Sequence, residues 1–153
     1  MENAGIIEVI CGPMFSGKTK ALINRAKKEL IDNQDILVFK PSVDNRYSEV
    51  NVVSHDRKKI ECIVIKSSYE ILNYIDNANV FLIDEAQFFD IEIVSICKKL
   101  AETGKKVILA GLDKDYEAKP FGQMENLMSI SNNITKLTSK CSLCGNDAEY
   151  SFR

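Results

Sequence analysis

Gly12-Pro13-Met14-Phe15-Ser16-Gly17-Lys18-Thr19 decides how the rest of this chain is read. It matches G-x-x-x-x-G-K-[ST], the Walker A pattern. A loop that folds back around a phosphate needs glycine where side chains would obstruct it. Its amide groups then converge on the anion, and the helix that follows adds the positive end of its dipole. Lys18 supplies a mobile cation to the outer phosphates, and the Thr19 hydroxyl is a ligand for Mg²⁺. The surroundings agree with that mechanism. Before the loop, Ile6–Cys11 is a short apolar run that reads as a buried strand. After it, Lys18–Ile31 places Ala21, Leu22, Ala26 and Leu30 on one helical face with Lys and Arg opposite. Residues 12–19 are therefore assigned to nucleotide binding.

Such a site needs an acid at the end of a neighbouring buried strand, and Val80-Phe81-Leu82-Ile83-Asp84-Glu85 supplies two. Asp84 is positioned to hold the metal, directly or through water. Glu85, next to it, suits a general base or a carboxylate that orients the attacking group. A charge pair at a helix start is the plainer reading, but four apolar residues running straight into it favour the acidic strand end.

Further apolar runs at 35–40, 60–65, 79–83 and 106–112 read as strands, the first of them stopped by Pro41. Helices are expected at 68–75 from a Ser cap, at 91–100 closing on Gly104, and at 123–130. A last strand is expected over 134–140. Residues 42–59 are polar and lack helical period, so they read as a functional excursion. Strands alternating with helices imply an α/β fold with a mainly parallel sheet flanked by helices.

The chain has 153 residues, 45% hydrophobic and 27% charged, with net charge −2. That balance fits one domain and gives no bulk attraction to nucleic acid or an anionic membrane. No apolar stretch approaches a membrane span. The short polar N-terminus and an odd set of five cysteines point to a reducing, cytoplasmic setting. Cys11, Cys62 and Cys97 lie singly in apolar surroundings and read as small core hydrophobes. Cys141-Ser142-Leu143-Cys144-Gly145 instead has the knuckle spacing of half a structural zinc site. His55, the only histidine, reads better as a hydrogen-bonded loop residue than as a ligand.

Three classes of nucleotide enzyme compete. A GTPase requires an Asn-Lys-x-Asp segment, which is absent. Asp84-Glu85-Ala86-Gln87 looks superficially like the acidic box of nucleic-acid-dependent ATPases, and a fragment of such a motor is the alternative kept open. A kinase of a small hydroxyl-bearing molecule fits the length better and gives 42–59 and 113–122 a task as acceptor loops.

The loop 12–19, Asp44-Asn45-Arg46-Tyr47-Ser48, His55-Asp56-Arg57, Asp84-Glu85-Ala86-Gln87-Phe88, Gly111-Leu112-Asp113 with Tyr116, Pro120-Phe121-Gly122 and Cys141-x-x-Cys144-Gly145 occur in one order. Together they closely resemble the cellular-type, zinc-containing thymidine kinases over nearly the whole chain. Pro13-Met14-Phe15 within the loop is far more specific than Walker A alone. The resemblance implies a P-loop, RecA-like fold and transfer of the ATP γ-phosphoryl to the 5′-hydroxyl of thymidine or deoxyuridine, in nucleotide salvage. It implies Glu85 as general base, Arg46 as the charge on the transferred phosphoryl, and Asp44 as the support of that arginine or of the metal's waters. Met14, Phe88, Leu112 and Tyr116 become walls around the base, and Gln87 a hydrogen-bonding contact to base edge or sugar. Lys18 acts on the phosphates, and Thr19 and Asp84 bind Mg²⁺. The resemblance also implies a homotetramer with no nucleic-acid or membrane partner. Residues 1–137 form the kinase domain, and 138–153 the first half of a zinc-binding, ribbon-like element. Cys141 and Cys144 are its first two ligands, the family's second cysteine pair falling beyond Arg153.

Overall fold

A computed structural model describes residues 5–13, 17–42, 51–53, 59–114, 117, 119–140 and 147–148. β1 (Ile6–Cys11) leads into α1 (Lys18–Ile31), followed by β2 (Ile36–Pro41), β3 (Asn51–Val53) and β4 (Lys59–Ile65). A 3₁₀ helix (Ser68–Tyr74) precedes β5 (Val80–Ile83), and a second 3₁₀ turn (Ala86–Phe88) follows it. Then come α2 (Glu92–Glu102), β6 (Lys106–Gly111), α3 (Met124–Ile130), β7 (Asn133–Lys136), β8 (Ser139–Lys140) and β9 (Asp147–Ala148).

The large sheet has seven strands in the order β3-β4-β2-β5-β6-β1-β7. All its pairings are parallel except β3 with β4. Parallel strands are covered on both faces, so they read as unbroken apolar runs, and alternate residues go to opposite helical layers. Ile7, Val9, Phe39, Phe81, Ile83, Val107 and Leu109 face the side covered by α2, α3 and the Ser68–Tyr74 helix. Ile10, Val38, Leu82, Ile108 and Ala110 meet Leu22 and Ala26 of α1. Phe39 stacks on Phe81 at 6.0 Å between ring centres and meets Tyr74 edge-on at 5.5 Å. Cys11, Cys62 and Cys97 are buried free thiols, and burial pushes Cys97 up to about 12.

Several boundaries differ from expectation for local reasons. β2 runs through Pro41 rather than stopping before it. The Ser42 amide bonds Ile65 of β4, so the missing N–H at Pro41 faces the β5 side, where β5 has already ended opposite Phe39. The expected helix at 68–75 is 3₁₀, and its cap is Ser67. The Ser67 hydroxyl accepts from the Tyr69 amide while Glu70 Oε2 accepts from the Ser67 amide at 3.0 Å. Ser68 is wholly buried and its hydroxyl donates to Asp90. The expected strand at 134–140 breaks into β7 and β8.

One charged group of α1 itself is buried. Glu29 is 4% exposed and lies 2.8 Å from Lys106 Nζ and 3.7 Å from Arg25. Arg25 also pairs with Glu8 of β1, which holds its guanidinium above its usual pKa. The cluster ties α1 to β1 and β6. Glu29→Ala leaves Arg25 and Lys106 without this carboxylate and is expected to cost about 1–3 kcal/mol, read by urea unfolding.

Candidate active site

The C-terminal ends of the parallel strands converge on one edge of the sheet, where ligands bind in folds of this kind. β1 ends at Cys11 and delivers the chain into the Gly12–Thr19 loop, of which Met14, Phe15 and Ser16 lie outside the described residues. Gly17 turns the chain into α1, whose first residues are Lys18 and Thr19. β6 lies between β1 and β5, with Cys11 in register with Gly111 and Leu109 with Ile83. Asp84 and Glu85 therefore emerge two strands from the loop.

The gap is nevertheless bridged. Thr19 Oγ1 lies 3.4 and 3.3 Å from the two carboxylate oxygens of Asp84. Asp84 is 5% exposed, and burial raises its pKa, opposed by the hydrogen bond from the Glu85 amide. That bond, 2.9 Å from Glu85 N to Oδ1, fixes one oxygen and leaves the carboxylate facing the hydroxyl. A hydroxyl and a carboxylate at this separation form a hard-oxygen donor pair, which suits Mg²⁺ completed by phosphate oxygens and water. Lys18 Nζ donates to the Pro13 carbonyl at 2.6 Å, so its stem arches back over the loop. Burial lowers the Lys18 pKa, against the opposing pull of Asp84 and Asp113.

Glu85 stands in the left-handed region, φ 52° and ψ 47°, a conformation costly for any residue with a side chain. The strain aims the turn: Phe88 N bonds the Glu85 carbonyl at 3.1 Å and closes Ala86–Phe88. Phe88 is 42% exposed and packs edge-on against Phe121 with ring centres 5.5 Å apart. Gln87, by contrast, is 6% exposed, and its Oε1 accepts the Leu112 amide at 3.1 Å. Lys18, Thr19, Asp84, Glu85, Gln87, Phe88 and Leu112 thus gather around one strand edge. Asp44, Arg46, His55, Tyr116, Cys141 and Cys144 lie outside the described residues.

Two polar residues at the same edge were given no role by the sequence reading. Asp113, 7% exposed, follows β6 and pairs with Lys136 of β7 at 3.5 Å and Lys114 at 3.8 Å. Lys136 stands opposite Cys11 in the β1–β7 register, so the pair flanks the start of the phosphate loop. Only the Asp after Gly111-Leu112 carried any signal; nothing in the sequence around Lys136 marked it. Among the described residues no group of three or more His, Cys, Asp or Glu is placed to hold a metal by itself. Among them, too, no helix is long and apolar enough to cross a membrane.

Sheet, loop and acid pair together define a P-loop nucleotide-binding protein. The same fold occurs in the Legionella pneumophila ATPase DotB. That match has a TM-score of 0.50 at 17% identity, and covers 85% of this chain and 35% of that one. At such identity it speaks for the fold alone. A family model described as thymidine kinase matches residues 5–153, and the chain belongs to the thymidine kinase family. It is 47% identical over 151 residues to a thymidine kinase of Rhodothermus sp. (strain ITI 518), covering 99% of this chain and 71% of that protein.

Proposed function

We infer that this chain transfers the γ-phosphoryl of ATP to the 5′-hydroxyl of thymidine, and of deoxyuridine, giving the nucleoside monophosphate. The observation that carries this reading is the match to a thymidine kinase along essentially the whole chain. The site chemistry supports it. Thr19 and Asp84 would hold Mg²⁺, which when bound would supply charge neutralisation at the outer phosphates. Lys18 draws the β- and γ-phosphates into the loop, whose amides hold the remainder of the chain of phosphates. Glu85 takes the proton of the 5′-hydroxyl at its carboxylate. The strained turn supports this by carrying Glu85 out of the strand line, beside the Phe88–Phe121 pair. Phe88 and Leu112 form walls for the base, with Met14 and Tyr116 completing them. Arg46 balances charge on the transferred phosphoryl, with Asp44 holding it in place.

A structural zinc ion bound through Cys141 and Cys144 belongs to the same reading. The Cys-x-x-Cys spacing motivates it, and β8 and β9, which pair antiparallel on either side of segment 141–146, are compatible with it. Residues 1–137 then act as the kinase domain and 138–153 as the first part of the zinc-binding element. The assembly is a cytoplasmic homotetramer without a nucleic-acid partner.

ATP turnover measured with added thymidine, and separately with single-stranded DNA, tests the function. Thymidine alone is expected to accelerate turnover; stimulation by DNA alone would sink the kinase reading. Metal binding gives a second test. Because burial raises the Asp84 pKa, its charged form costs stability above that pKa, and the cost shrinks as pH falls below it and is gone below the pKa of the unfolded chain. Asp84→Asn keeps an oxygen for Thr19 and the Glu85 amide but carries no charge. It is expected to raise the Tm of the nucleotide-free protein, and to abolish Mg²⁺-dependent phosphorylation. Calorimetry and a kinase assay on one preparation read both effects.

A further inference from the structure

Gln87 lies in the turn that carries Glu85, yet its side chain is turned inward and almost wholly buried. Its Oε1 accepts the Leu112 amide just past β6. The neighbouring Gly111 leaves room for that contact. A Cβ there would stand 2.6 Å from Gln87 Oε1 and 2.9 Å from the Met124 sulfur of α3. On the other side the Gln87 carbonyl meets Gly122, where a Cβ would come within 2.1 Å of it and φ is 56°. The Gly122 segment is itself tied back, since the Phe121 amide bonds the Asp113 carbonyl at 3.2 Å and Lys114 bridges Pro120. Gln87 therefore bonds the start of the 112–122 loop through its side chain and lies close against its end through its carbonyl.

We propose that Gln87 is a positioning residue that fixes the distance between Glu85 and the 112–122 loop, and so sets the acceptor pocket without serving as the nucleoside's own contact. This rests on the kinase reading of the site. The physical reason is economy of freedom: the loop past β6 and the turn past β5 belong to different strands, and nothing else described ties Leu112 to that turn. Reactive groups displaced by even about 1 Å lose rate steeply. A side chain that holds the wall against the base residue therefore governs acceptor use while leaving the phosphate loop undisturbed.

Gln87→Met keeps length and volume but removes the acceptor, and Gly111→Ala crowds the same contact from the β6 side. Both are expected to lower kcat/KM for thymidine by roughly tenfold or more, with affinity for a fluorescent ATP analogue within about twofold of the unsubstituted chain. Both should speed hydrogen exchange at the Leu112 amide in the absence of any substrate, and in the double variant the losses should not add. A normal Leu112 exchange rate in Gln87→Met overturns the proposal. So does a thymidine defect in Gln87→Met with none in Gly111→Ala, which would make Gln87 a direct contact. So does a parallel collapse of ATP affinity. An unsubstituted chain that binds ATP but leaves thymidine untouched overturns the kinase reading and the acceptor role with it, while the exchange rates still decide whether Gln87 holds the loop.

Discussion

Glu85→Gln is expected to slow thymidine phosphorylation by about 10²–10⁴-fold, the usual contribution of a general base, while ATP affinity stays close to normal. The substitution keeps size and the left-handed turn but removes the ability to accept a proton. Lys18, Thr19 and Asp84, the proposed nucleotide and metal ligands, are untouched. Isothermal titration with ATP and a steady-state rate with thymidine separate the two effects. A near-normal rate would remove Glu85 from the role. The same position offers a stability test. At φ 52° glycine is free of the penalty that glutamate carries, so Glu85→Gly should stabilise the fold by up to about 1 kcal/mol while abolishing turnover. Strain retained at an active residue is a common trade of stability for function.

Lys18→Ala is expected to cost about 10²–10³-fold in kcat/KM for ATP, since it removes the cation proposed to meet the outer phosphates. The ammonium sits under a desolvation penalty, countered by Asp84 and Asp113. Its hydrogen bond to the Pro13 carbonyl holds it in the loop before nucleotide arrives. Removing a partly desolvated cation relieves one unfavourable term, so the variant should remain folded, and its thermal unfolding should be nearly unchanged. Loss of rate with a normal Tm would assign the effect to phosphate handling, whereas a collapsed Tm would point to a structural lysine.

Much of the layout could be read from residues 6–31 alone, because an apolar run, a Gly-rich turn and a helical face in that order have few other physical outcomes. β1 and α1 fall where Ile6–Cys11 and Lys18–Ile31 place them. Asp84 at the end of Val80–Ile83 was equally legible, since a buried strand that terminates in a carboxylate is unusual without a cation to meet it. What could not be read is lateral order. Apolar runs carry no label for their neighbours, so β6 between β1 and β5, and β7 on the outer edge, emerge only in three dimensions. The pairing of Asp113 with Lys136 depends on that order. The left-handed Glu85 was also hidden: glutamate is a poor candidate for positive φ, and local propensity argues against it. Gln87 shows the limit from the other side. Its amide suggested a contact to the nucleoside, but only packing revealed that its oxygen is taken by Leu112.

In the proposed reaction phosphoryl leaves ATP for a nucleoside hydroxyl at the edge shared by Lys18, Asp84 and Glu85. The most direct measurement follows γ-labelled ATP with Mg²⁺ and thymidine, resolving ADP and labelled nucleoside monophosphate over time. Thymidine 5′-monophosphate carrying the label, formed one-for-one with ADP, is the expected result. ADP accompanied by free labelled phosphate, indifferent to thymidine and rising with single-stranded DNA, would contradict it.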